Sequence, residues 1–230
     1  MSTLAVSPAY YNELPSLLEA DMHRQMTCGN GLLNGPVKDL FENHGVEKDY
    51  CLYLQHRHHT LAANEVIAKV EGTGHKMVVQ TVEEIRKLGN KIAPTTWMSR
   101  DSKMLPMELS ILDEEKRTPP TPPMDFVKEL LNWLDSNGCQ DLFGLATRAK
   151  YNWTEITIGD SSVVVPSKDN DAQNVPDFIA TAFAFDKSNP YFIVHGKCKK
   201  DHSHDRKPIP PSSAPPSGGS GGSGGRNGGR

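Results

Sequence analysis

Short apolar runs separated by turn residues, with no helix placed regularly between them, constrain this chain more than any other feature. Seven such runs read as strands, at 50–58, 66–70, 142–149, 154–158, 162–165, 178–185 and 191–197. Strands that follow one another through short turns, without βαβ alternation, pair mostly antiparallel. The fold class expected is therefore α+β: a mainly antiparallel sheet with a few short helices.

The helices announce themselves through their ends. Pro36 opens one that puts Val37, Leu40, Phe41 and His44 on one face before Gly45 stops it. Thr81 and Glu84 have capping-box spacing and lead into Val82, Ile85 and Leu88. A third helix, 125–137, carries Phe126, Val127, Leu130, Leu131 and Leu134 as one stripe, closed by Asn137 and Gly138.

Two compositional breaks divide the chain. Prolines at 119, 120, 122 and 123 forbid helix and disfavour a central strand, so 118–123 reads as a connector between an α+β region, 1–117, and a helix-plus-strand region, 124–207. The two regions are expected to share one sheet or core. Thr118 and Thr121, each followed by proline, are candidate phosphorylation sites in that connector. From 208 the Pro/Gly/Ser composition cannot bury enough surface to offset chain entropy, which predicts a disordered tail over 208–230.

A net charge of −3 with pI near 6.3 gives no broad basic field, which argues against nucleic acid and anionic membranes as partners and leaves another protein. The first residues lack a basic n-region and an apolar h-region, and Cys28, Cys51, Cys139 and Cys198 include no CxxC pair. The expectation is a soluble cytoplasmic or nuclear protein, not secreted, with reduced thiols.

The segment CLYLQHRHHTLAANE, 51–65, is the densest in potential ligands. Alternation on a strand puts Leu52, Leu54, His56 and His58 on one face and Cys51, Tyr53, Gln55, Arg57 and His59 on the other. Residues two apart on one face can reach a common ion, so His56 and His58 are candidate metal ligands. Six residues separate His58 from Glu65, too many for the first cupin metal motif. Pairing 50–58 with 66–70 as a hairpin in even-to-even register would put Glu65 opposite Arg57 and His59, as a charge partner of Arg57. His44, at the end of the preceding helix, is placed near this segment.

The pattern LxHRHxxL followed by Glu65 resembles a motif in a group of uncharacterised filamentous-fungal proteins, where an HRH strand precedes a glutamate-bearing strand. The resemblance spans about 52–70 and implies no activity.

His195, two positions from Ile193 on a strand face, is the candidate third ligand to His56 and His58, for zinc or another divalent transition metal. Three imidazoles around an open coordination position would bring a bound water's pKa to about 7, as a hydrolase or lyase requires. His195, Cys198, His202 and His204 also lie close in sequence, but among lysines and aspartates they read as a solvated run.

Gly29, Gly31 and Gly35 miss the dinucleotide spacing. Asp169 and Asp171 miss the calcium-loop glycine and glutamate. Trp97, Trp133 and Trp153 read as core or interface aromatics. With no complete catalytic set and no cofactor motif, the reading is a non-catalytic binding or accessory protein. The alternative is a metal-dependent enzyme built on His56 and His58.

Overall fold

The computed structural model describes residues 7–70, 75–112, 119–158, 161–167 and 177–200. Among them ten strands close into one barrel: β1 Tyr50–Leu54, β2 Glu65–Val70, β3 His75–Thr81, β4 Ile92–Arg100, β5 Lys103–Ile111, β6 Phe143–Thr147, β7 Trp153–Ile158, β8 Ser161–Pro166, β9 Phe178–Ala184 and β10 Ile193–Lys199. Their order around the barrel is β1-β6-β4-β5-β2-β3-β8-β7-β10-β9. Eight of the ten neighbouring pairs are antiparallel, and β2·β5 and β7·β10 are parallel. The α+β class with a mainly antiparallel sheet is thus what the chain adopts.

The hairpin between 50–58 and 66–70 does not form. β1 lies between β6 and β9, while β2 pairs with β3 and β5. Strands from the two sides of the proline connector interleave, since β6 sits between β1 and β4. β4 and β5 escape a strand reading because Pro94 and Pro106 interrupt them. Register shifts on either side of Thr96 let the ladder pass both prolines without their missing N–H groups. Residues 113–118, Asp160, Asp169, Asp171, His202, His204 and the tail lie outside the described residues.

The helices are α1 Pro8–Asn12, α2 Leu17–Thr27, α3 Asn30–Leu32, α4 Lys38–Asn43 after a π-helical turn at Leu33–Val37, α5 Val82–Lys87 and α6 Met124–Ser136. Capping boxes start α2 at Ser16 and α5 at Thr81. Gly45, at φ +64, takes the left-handed conformation that ends α4. α6 buries Phe126, Leu130 and Leu134 completely, each contributing roughly 1.5–3 kcal/mol. Phe126 meets Phe41 of α4 edge-on at 5.0 Å, and His44 Nε2 donates to Glu129 Oε2 at 2.8 Å, so His44 joins α4 to α6 and not to the 51–65 segment.

Alternate side chains of the strands divide two apolar clusters. Tyr50, Leu52, Leu54, Phe143 and Leu145 face outward under α2, α4 and α6. Cys51, Tyr53, Ile67, Met98, Ala146, Val164 and Ala182 fill the interior, joined by Tyr11, Leu14 and Leu61 from outside the sheet. Strand directions give the barrel two unlike ends. Where β1 finishes, α1 and 55–61 cover it: Arg57 N–H donates to Pro15 O and the Asn12 side chain brackets Leu61. Where β1 begins and β6 finishes, the interior is open.

Candidate functional site

A cavity of about 650 Å³ runs into the barrel from the open end. Lys48, Asp49, Lys69, Arg148, Lys150 and Tyr151 stand around its mouth, Trp153, Ala146 and Val164 form its walls, and Tyr53, Thr96, Glu108 and Glu155 meet its deep end. That volume is within the roughly 300–1,000 Å³ of small-molecule sites. Among the described residues, the mouth carries four cationic side chains against one carboxylate.

The deep end is set by strand register. β1 contributes Tyr53, β5 contributes Glu108 opposite Thr96 of β4, and β7 contributes Glu155 beside Cys198 of β10 in their parallel pairing. The chain leaves β1 at Gln55, whose side chain accepts from Ser99 N–H at 2.6 Å and donates to Gln140 O at 3.2 Å. This turn carries His56 and His58 across the base of the cavity, 0% and 1% exposed. His58 N–H donates to Tyr11 Oη at 2.8 Å.

The His58 ring sits between two carboxyl groups. Nδ1 is 3.1 Å from Glu155 Oε1, and Nε2 is 3.5 Å from Glu108 Oε1 and 3.4 Å from Tyr53 Oη. Thr96 Oγ1 donates to Glu108 Oε2 at 2.9 Å. The Cys198 thiol donates to Glu155 Oε2 at 3.7 Å and lies 3.6 Å from Thr181 Oγ1. Burial pushes the Glu108 carboxyl up to about 7 against the lowering effect of the Thr96 bond. It pushes Glu155 up to about 8, with the Glu108 charge adding to the rise. Burial also raises the Tyr53 phenol and the Cys198 thiol well above their ordinary values.

His56, His58 and Cys198 each offer one ligand atom, and these atoms lie within 4.8 Å of one another. His195 is placed elsewhere. Its Nε2 accepts from Ala149 N–H at 3.1 Å, so Nδ1 carries the proton and donates to Asn152 Oδ1 at 3.0 Å. Burial and the Arg148 charge lower its pKa to about 4, and it fastens the β6–β7 loop as a neutral ring. Cys198 belongs to the buried core, not to a solvated run.

Glu65 does not meet Arg57. Its Oε2 accepts from Ala62 N–H at 2.7 Å, and the Arg57 guanidinium donates to Leu14 O. Glu108 and Glu155 escaped the sequence reading. Glu108 alone left a trace, a carboxylate between Met107 and Leu109 in a run otherwise rich in apolar residues. No protein-family model, no curated protein and no solved structure matches this chain.

Proposed function

We propose that the barrel is a binding chamber for a small organic anion. The observation that carries this reading is the cavity of about 650 Å³ with Lys48, Lys69, Arg148 and Lys150 at its mouth and polar groups at its deep end. Cations gathered around a low-dielectric opening focus the field and raise the local concentration of anions. The acidic end of a ligand would stay among them, its apolar body would pass Trp153 and Val164, and a hydroxyl or carbonyl would reach Tyr53 and Thr96. All four cysteines are free thiols, which fits a reducing compartment such as the cytoplasm or nucleus.

Titration with anilinonaphthalene sulfonate, a fluorescent organic anion, tests the reading. Saturable one-to-one binding is expected, weakened by Lys150→Glu and by Lys48→Glu and blocked by Ala146→Trp, which fills the cavity. Met26→Ser, on the exposed face of α2, should leave it unchanged. Binding indifferent to the three cavity changes, or lost with Met26→Ser, would refute the chamber. A second reading, metal-dependent catalysis, is favoured by the convergence of His56, His58 and Cys198.

A further inference from the structure

We propose that His56, His58 and Cys198 bind one divalent transition-metal ion at the base of the barrel, with Glu155 as the fourth donor. This goes beyond anion binding, and it holds or fails whether or not the chamber takes a ligand.

The first support is convergence: two imidazoles and a thiol, all buried, aim ligand atoms into one volume within 4.8 Å. Zn–N bonds of about 2.0 Å and Zn–S bonds of about 2.3 Å put tetrahedral donors roughly 3.5 Å apart, so closure from separations of up to 4.8 Å needs a contraction of at most about 1.3 Å. Side-chain rotation can supply that.

The second support is the tautomer of His56. Its Nδ1 lies 2.8 Å from Leu54 O, which can only accept, so Nδ1 carries a proton and, in the neutral ring, Nε2 is the nitrogen with the lone pair. Metal-binding histidines are commonly held this way, one ring nitrogen donating to a carbonyl while the other faces the ion.

The third is the position of the two carboxyl groups. Glu155 touches both neighbours, with Oε1 3.1 Å from His58 Nδ1 and Oε2 3.7 Å from Cys198 Sγ. It lies against two of the three converging residues without being one of them, so a carboxylate rotation toward His56 would bring it in as the fourth donor. Glu108, anchored by Thr96, lies 3.5 Å from the other His58 nitrogen, in the place of the carboxylate that orients a ligating imidazole. A cation between these groups would offset the electrostatic cost of burying them together.

Mixed nitrogen, sulfur and oxygen donors select zinc, iron, cobalt or copper over magnesium and calcium. On binding, Cys198 becomes a thiolate and Glu155 a carboxylate, and the protons they held leave to solvent. Because Glu155 also lines the cavity, the ion would be reached through the chamber.

The test is metal analysis of protein purified without an affinity tag, followed by Co²⁺ titration of the stripped, folded chain. About one equivalent of metal is expected, with a near-ultraviolet thiolate-to-cobalt band and the visible bands of a tetrahedral site. Cys198→Ser should abolish the near-ultraviolet band and Cys51→Ser should retain it. Glu155→Gln should keep the band while weakening affinity about 10- to 100-fold. If Cys198→Ser does not fold, His56→Gln should show the loss in the visible bands instead. Folded protein that takes up no Co²⁺, uptake without the thiolate band, or a Cys198→Ser variant that binds as tightly as the parent would overturn the proposal. Anilinonaphthalene sulfonate binding in the same samples reports on the chamber separately.

Discussion

The covered end and the open end of the barrel solve opposite problems. At the covered end Tyr11, Gln55, His56, His58 and Cys198 are buried, and backbone groups are bonded to side chains from distant parts of the chain. At the open end Lys48 and Lys150 are exposed, and the β6–β7 loop is held by the His195 ring. Buried polar groups are costly to disturb because a lost partner leaves a desolvated atom behind. Exposed charges exchange their protein contacts for water. Stability should therefore concentrate at the covered end and adaptability at the mouth.

The sharpest way to break this contrast is to truncate Tyr11. Tyr11→Ala removes a fully buried ring and the acceptor for His58 N–H, and should cost about 3–5 kcal/mol by chemical denaturation. Tyr11→Phe keeps the ring and should cost about 1–3 kcal/mol. Lys48→Ala at the mouth should stay within about 0.5 kcal/mol. A Lys48→Ala cost equal to that of Tyr11→Ala would erase the distinction between the ends.

The mouth has one buried titratable fastening of its own. Burial first, then the charges of Arg148 and Lys69, lower the His195 pKa to about 4, below the ordinary histidine value of 6.5. The fold thus favours the neutral ring: its contribution is fully present above pH 6.5 and is lost as pH falls through about 4. The loss should be on the order of 2–3 kcal/mol. Denaturation midpoints measured from pH 7 to pH 4 should fall more steeply for the parent chain than for His195→Gln. Parallel curves would assign the acid sensitivity to other groups.

Gly196 sharpens the comparison at a smaller scale. A Cβ there would come within 2.2 Å of the Trp153 ring, so the indole packs against bare backbone beside the cavity. Gly196→Val should push Trp153 aside at a cost of about 1–3 kcal/mol, with a shifted tryptophan emission and weaker anilinonaphthalene sulfonate binding. Unchanged emission would mean that the ring has room to spare.

What the sequence discloses follows the same division between local and distant causes. The Thr81 and Glu84 cap, the Phe126–Leu130–Leu134 stripe and the Gly45 stop act over a few residues, and each helix they imply is present. Barrel closure depends on β1 reaching Phe143–Thr147 and Phe178–Ala184, pairings that no short window contains. The site was hidden for a related reason. Glu155 and Thr157 alternate with Thr154 and Ile156 along a short strand, and that spacing alone does not say which side faces inward once the barrel has closed. His56 and His58 share a burial state, as their spacing suggests, though the turn after Leu54 places them and not a continued strand.

Glu65 gives the smallest effect and the most specific check on the turn that carries the histidines. Its carboxylate accepts from Ala62 N–H in an exposed turn, where water can replace it, so Glu65→Ala should cost no more than about 1 kcal/mol. Arg57→Ala should be independent of it, since the guanidinium holds Leu14 O and the N-terminal segment instead. A double-mutant cycle on Glu65 and Arg57 therefore should give a coupling near zero, within about 0.3–0.5 kcal/mol. A coupling well above that would restore the charge pair that the strand alternation implied. It would also require the 55–64 segment to run closer to β2 than it does here, drawing His56 and His58 away from Cys198.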